Sequence, residues 1–256
     1  MYQEKFRLDG KTAFITGGGR GIGLCTAQAL AECGARVIIS DHDEKTLDSG
    51  RQQMARLGYA ADTTILDVTR PAEVTRAADL FNEKYGAVDV LVANAGIAWP
   101  DTGGEDMADE AWLKVLDVDL NGVFWSCRDF GRHMLRRGHG AIVTVGSMSG
   151  LISNRPQRQA HYNAAKAGVH HLTRSLAGEW APRGVRVNSV APGYIDTAMS
   201  GPALRSELGK QWLDLTPMGR GGTPEEIASV ILFLATDASS VLTGSVVVAD
   251  AGYTIW

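Results

Sequence analysis

The sequence predicts an α/β protein: one domain built on a parallel sheet of about seven strands, doubly wound with helices on both faces. Three observations predict it. Short runs rich in apolar and β-branched residues recur along the chain: "KTAFIT" (11–16), "ARVIIS" (35–40), "TTILDV" (63–68), "VDVLVAN" (88–94), "AIVTVGS" (141–147), "VRVNSV" (185–190) and "SVVVAD" (245–250). Strands apolar on both faces belong in a parallel sheet covered on both sides. Longer segments with helical periodicity separate them, such as "IGLCTAQALAECG" and "PAEVTRAADLFNEKYG". That alternation makes right-handed βαβ crossovers. Finally, no linker, repeat or low-complexity tract divides residues 1–256, so they read as a single domain.

The elements can be justified in order. The strand at 11–16 feeds a glycine-rich turn and then a helix that begins near Ile22 and stops at Gly34. Gly58 and Gly86 stop the next two helices in the same way, since glycine readily adopts the left-handed conformation of a helix C-terminus. Residues 112–137 and 160–181 read as two long helices. Segment 192–222, "PGYIDTAMSGPALRSELGKQWLDLTPMGRGG", is the least regular part, with a short helical pattern in its middle. A stretch of that length inside a compact domain is expected to be a binding loop or lid.

Composition narrows the function classes. Hydrophobic residues make up 45% and charged residues 21%, which suits a folded globular protein. The net charge of −4 offers no basic surface for nucleic acid or anionic lipid. Cys25, Cys33 and Cys127 have no paired spacing and read as buried, reduced thiols. The six histidines lack metal-binding spacing, so no metal is expected. The start carries no apolar leader, and no run approaches the ~18 apolar residues of a membrane span. A cytoplasmic location without a membrane partner is the expectation.

The first chemical signal is "TGGGRGIG", Thr16 to Gly23. It follows a strand and opens a helix, where glycines let the backbone turn tightly and approach a pyrophosphate at the helix N-terminus. Asp41 ends the second strand about 20 residues on, where a carboxylate accepts hydrogen bonds from the adenosine ribose hydroxyls. That carboxylate would repel a 2′-phosphate, and His42 follows where an arginine would welcome one. Arg20 in the loop pulls the other way. NAD is favoured, with NADP less so.

The second signal is "YNAAK", Tyr162 to Lys166, whose ends share one helix face. Further motifs fall in a fixed order around it: "DV" at 67–68, "NAG" at 94–96, "VGSMSG" at 145–150 and "PGYIDT" at 192–197. Along its full length the chain resembles the short-chain dehydrogenase/reductase family. The resemblance implies a Rossmann-like domain in which Tyr162 is the catalytic acid/base. Lys166 would lower the phenol pKa and hold the nicotinamide ribose, and Ser147 would hydrogen-bond the substrate oxygen. It also implies a cofactor contact set of Gly17, Gly19, Arg20, Gly21, Ile22, Gly23, Asp41, Asp67, Val68, Asn94, Gly96, Tyr162, Lys166, Pro192, Gly193, Ile195 and Thr197. Asp67 would face the adenine amino group, Asn94 and Gly96 would lie along the cofactor, and Ile195 and Thr197 would touch the carboxamide.

Two positions depart from the family pattern. Ala93 stands where the first of two asparagines is usual, and Asp119 stands where the family has its fourth catalytic residue, an Asn. Asn121, two residues later, would point elsewhere on a helix. If the family's proton relay uses the backbone carbonyl at this position to hold a water, Asp119 serves with little loss; if it needs the side-chain amide as donor, an ionised Asp cannot replace it. Asp119 stays in the implied catalytic set with Ser147, Tyr162 and Lys166.

For the substrate, the segment between Ser147 and Tyr162 is polar, with Ser149, Asn154, Gln157 and His161 in reach of a pocket. Hydroxyl-rich ligands need such partners. "GSMSG…NRPQ" and the ending "GYTIW" resemble bacterial polyol dehydrogenases of the galactitol type. The implied substrate set is Ser147, Ser149, Asn154 and Tyr162 around a hydroxylated small molecule, and the implied assembly is a homotetramer through the two long helices. Trp112, Trp125 and Trp180 read as core or interface residues. Two other readings stay open here: an NADPH-dependent 3-oxoacyl carrier-protein reductase, and a dinucleotide-binding regulator without strong catalysis.

Overall fold

The computed structural model describes residues 1–256. In chain order the elements are β1 (Thr12–Thr16), α1 (Gly21–Glu32), β2 (Arg36–Asp41), α2 (Glu44–Arg56), β3 (Ala61–Ile65), α3 (Pro71–Tyr85) and β4 (Val90–Ala93). They continue with α4 (Asp109–Leu116), α5 (Gly122–Arg137), β5 (Gly140–Val145), α6 (Ala160–Trp180) and β6 (Val185–Pro192). Last come α7 (Gly201–Leu204), α8 (Glu207–Asp214), α9 (Pro224–Ala235) and β7 (Val246–Ala249). All seven expected strands are present, in one parallel sheet of order β3-β2-β1-β4-β5-β6-β7. The order reverses between β1 and β4. In such sheets ligands bind outside the carboxyl ends of the strands at that reversal.

Two apolar layers hold the sheet. Successive residues of a strand face opposite sides, and here Phe14, Ile38, Leu91 and Ile142 face α3, α5 and α6. Their neighbours Ile15, Ile39, Val92 and Val143 face α1, α2 and α9. The helices stop where glycine allows: Gly34, Gly58 and Gly86 take φ of 99°, 86° and 74°.

Three expectations need correction. The third strand occupies 61–65 rather than 63–68. It is a sheet edge whose pairing with β2 ends at Asp41 and Ile65, after which Leu66 and Val68 turn inward and are buried. The expected helix 112–137 starts earlier and is interrupted, because residues Asp117–Asn121 form a π turn between α4 and α5. Only Cys127 is a buried thiol, while Cys25 and Cys33 are partly exposed. No helix is long and apolar enough to cross a membrane.

Phe14 is fully buried, with ring centroids 5.5 Å from Phe81 and 4.5 Å from Phe130. Truncating it leaves a cavity that a close-packed sheet cannot close. Phe14→Ala is expected to cost about 3–5 kcal/mol in urea unfolding.

Candidate active site

A cleft of about 590 Å³ opens at the carboxyl ends of the strands. One half is made by the ends of β1, β2 and β4. The hydroxyl of Thr16 accepts the N–H groups of Asn94 and Ala95, both at 3.0 Å. In return the Asn94 side-chain amide donates to the carbonyls of Thr16 and Gly17 at 2.9 Å. The glycine turn is thereby clasped to the end of β4. Gly17 has φ of 61°, and a Cβ there would lie 2.9 Å from the Cα of Ala95.

Within this half, Gly17, Arg20, Gly21, Ile22, Asp41, Asp67, Val68, Asn94 and Gly96 all line the cleft. Gly19 and Gly23 do not. A Cβ on Gly19 would stand 2.9 Å from the Thr46 side chain, and one on Gly23 would stand 2.2 Å from the Gly17 carbonyl. Those two glycines give α1 and α2 room to approach the turn. Asn94 lines the cleft, but its amide is committed to the clasp rather than to a ligand. Asp41 is almost fully buried, accepts from the Asp43 N–H at 3.3 Å and lies 3.1 Å from His42. Burial pushes the pKa of Asp67 up, but the Thr69 hydroxyl and N–H, with Lys114 nearby, overcome this and hold it below the usual carboxylate range.

The other half is built from β5, the turn after it, α6 and the end of β6. Lys166 is buried and donates to the Val145 carbonyl at 3.1 Å, with its Nζ 5.5 Å from the centre of the Tyr162 ring. Ser147, Tyr162 and Lys166 therefore meet at the base of the cleft, as the motif order requires. Burial raises the Tyr162 pKa. Lys166 pulls it down, Asp119 pushes it up, Ser147 lowers it, and the net direction is upward. Lys166 acts in the expected direction, and burial opposes it more strongly.

Asp119 does not line the cleft. It is fully buried behind it, where Oδ1 accepts the Ile97 N–H at 2.8 Å. Asn121 is elsewhere, donating to Asp117 at 2.8 Å. Pro192, Gly193, Ile195 and Thr197 line the opposite rim. Gly193 packs tightly on the C-terminal turn, since a Cβ would lie 2.7 Å from the Cα of Asp250.

The outer wall is a polar network. Gln159 donates to Ser149 at 3.3 Å and to Asn154 at 3.1 Å. Gln157 donates to the Tyr194 hydroxyl at 2.8 Å and accepts from the Trp212 indole at 2.9 Å. Trp212 stacks on Tyr194 at 4.1 Å, so α8 contributes Leu208 and Trp212 to the wall of the cleft. Trp212 and Tyr194 are site residues that the sequence reading missed, their signal being only aromatic rings inside the irregular 192–222 segment. Of the other tryptophans, Trp180 is buried in the core and Trp112 is partly exposed.

His170 was missed as well. It is buried beneath the Ser147 turn, where Nε2 accepts the Ser147 N–H at 3.4 Å. Gly146 must be glycine there, because a Cβ would fall 2.3 Å from that nitrogen.

With this geometry in view, the comparisons are consistent. A family profile described as "Enoyl-(Acyl carrier protein) reductase" matches residues 17–254. The chain belongs to the short-chain dehydrogenase/reductase family and is an oxidoreductase. It is 49% identical to a galactitol 2-dehydrogenase of Rhizobium johnstonii, over 100% of this chain and 99% of that protein. It is 48% identical to a galactitol 2-dehydrogenase (L-tagatose-forming) of Cereibacter sphaeroides, with the same coverage. The crystal structure of gox2181 superposes with a TM-score of 0.98 at 50% identity, covering 100% of both chains.

Burial, with Lys166 and Arg174 nearby, pushes the His170 pKa down from 6.5 to about 4. The unfolded chain therefore binds a proton in that window that the folded chain refuses, so stability falls as pH drops from about 6.5 towards 4. A His170→Gln variant is expected to lose stability less steeply over that range. Urea midpoints measured at several pH values would check the slope.

Proposed function

We propose that this chain is an NAD-dependent dehydrogenase that interconverts a secondary alcohol of a sugar alcohol or diol with the corresponding ketose or ketone. The observation that carries the reading is the convergence, in one cleft, of Tyr162, Lys166 and Ser147 with the clasped glycine turn and a hydrogen-bonding wall. Two relatives with galactitol in their names support the substrate class.

The cleft fits a dinucleotide. The turn at Gly17 leaves no space for a side chain, so backbone N–H groups at the start of α1 approach a pyrophosphate closely. Arg20, Gly21 and Ile22 flank that position, Asp41 takes the adenosine ribose, and Asp67 and Val68 border the adenine. Lys166 holds the nicotinamide ribose, with Pro192, Gly193, Ile195 and Thr197 along the nicotinamide. The bound NAD supplies the hydride acceptor and, when oxidised, a positive charge beside Tyr162.

The chain's own residues handle the proton. In oxidation the Tyr162 oxygen accepts the proton of the substrate hydroxyl, and in reduction the phenol returns it. An unperturbed phenol with pKa near 10 is a weak base at neutrality. Lys166, held against the Val145 carbonyl, favours the phenolate against the burial that opposes it. Ser147 presents its hydroxyl to the substrate oxygen, with its backbone fixed from behind by His170. Ser149 and Asn154 hold the remaining hydroxyls. Their orientation is set by Gln159, so a substrate with several hydroxyls is recognised in preference to an acyl chain.

We place the enzyme in the cytoplasm as a homotetramer. Partly exposed Trp112, Leu113 and Phe124 on α4 and α5 support association.

Two experiments test the reading. Tyr162→Phe is expected to lower turnover of galactitol and related polyols by at least ~10³-fold, while NAD still raises the melting temperature. Polyol turnover by Tyr162→Phe at the parent rate would contradict the role. Asp41→Ser is expected to raise the NADP-to-NAD ratio of kcat/KM by at least about tenfold, since a like-charge repulsion of ~1.4 kcal/mol or more is removed. An unchanged ratio would show that Asp41 does not choose the cofactor.

A further inference from the structure

The π turn Asp117–Asn121 interrupts what is otherwise one long helix, and Asp119 sits in it, fully buried. Such turns re-aim a side chain that a regular helix would point elsewhere, and they recur at functional sites. Here the carboxyl is aimed at the back of the Tyr162–Lys166 pair. A Cβ placed on Gly96 would lie 3.0 Å from Asp119 Oδ1 and 3.5 Å from Lys166 Nζ, so both groups crowd the same glycine. Oδ1 accepts the Ile97 N–H at 2.8 Å, while Oδ2 is buried without any hydrogen-bond partner. An unpartnered buried carboxylate oxygen calls for an explanation.

We propose that Asp119 and Tyr162 compete for the single positive charge of Lys166, and that Asp119 thereby sets the pH at which Tyr162 becomes a base. Two anions cannot share one buried ammonium as comfortably as one, so the two acids titrate as a coupled pair. Burial raises the Asp119 pKa against the pull of Lys166, the Ile97 N–H and His161, and a charge on Asp119 raises that of Tyr162 in turn. In its neutral form the carboxylic acid offers one acceptor oxygen and one O–H donor, the same pattern as an amide. When ionised it keeps Tyr162 as a phenol, a proton donor, which favours carbonyl reduction. Relative to an asparagine at this position, the carboxyl moves the onset of alcohol oxidation to higher pH.

The groups that face the pair are few. On α6, His161 is fully buried next to Tyr162, its Nδ1 accepting the Tyr162 N–H at 2.9 Å and its Nε2 unpartnered. Further along α6, His170 faces Lys166 and Arg174. On the β5 side the contacts are the neutral Val145 carbonyl and the Ser147 hydroxyl. Asp119 is the acidic group among them, and it acts through Tyr162 rather than on the substrate. The assignment rests on the acid/base role of Tyr162 proposed above.

The test is a tyrosinate absorbance titration of the protein without cofactor or substrate. The parent and Asp119→Asn are each read as the difference from the same chain carrying Tyr162→Phe. The expected result is a Tyr162 midpoint lower by about one pH unit in Asp119→Asn. The acidic limb of the pH profile for polyol oxidation should move down by a similar amount. An unchanged midpoint in a variant with native circular dichroism would overturn the proposal. Should Asp119→Asn fail to fold, Asp119→Ser is read in the same way and must move in the same direction. The titration needs no substrate: a parent inactive on every polyol defeats the substrate reading, while the midpoint still decides this proposal.

Discussion

The clasp between Thr16 and Asn94 is the interaction on which the rest of the site depends. A glycine turn at the end of a strand has few side-chain contacts to fix it, and glycine gives up more backbone freedom on ordering than any other residue. The Thr16 hydroxyl and the Asn94 amide supply four hydrogen bonds across the gap between β1 and β4, where the strand order reverses. That tie fixes the turn against the loop carrying Gly96, which in turn borders Asp119 and Lys166. The glycine turn and the Lys166–Tyr162 pair are therefore joined through one continuous set of contacts. Proximity of this kind is a large part of what an enzyme contributes to a bimolecular step.

Across the cleft the problem is buried charge. Lys166 lies almost entirely out of solvent with one carbonyl as its direct acceptor. Removing an ammonium from water is costly unless nearby groups compensate. Asp119 and the Tyr162 oxygen are the available partners, so the electrostatics of the three cannot be separated. Burial alone would leave Tyr162 a poor base, and the geometry opposes that with Lys166 while Asp119 works against it. Under the proposal above, that balance sets the pH range in which Tyr162 acts as a base.

The fold was legible because its signals are redundant. Seven β-branched runs, glycine stops and a strand–glycine–helix junction all point to one architecture, and all but the third run lie within a residue or two of the strands they predict. The edge strand β3 was misplaced by two or three residues because Leu66 and Val68 are apolar, yet buried off the sheet. The π turn was invisible because its residues fit a regular helix equally well by pattern. Gly19 and Gly23 were read as ligand contacts because sequence shows glycine but not what its missing side chain makes room for. His170, Trp212 and Gln159 were not legible as site residues for a similar reason. His170 and Trp212 take their roles from contacts far along the chain, with Ser147 and Gln157, and Gln159 from the way the loop before α6 folds back on Ser149, so no periodic pattern marks them.

The central claim is that this cleft passes a hydride to NAD from a polyol carbon while Tyr162 takes the hydroxyl proton. The most direct test is to offer galactitol deuterated at its secondary carbinol carbons and follow the label by nuclear magnetic resonance. The account predicts deuterium on the reduced nicotinamide, with one label passed per ketose formed and with a slower rate than for unlabelled galactitol. Ketose formation with the label released to solvent, or with NAD left unlabelled, would contradict it.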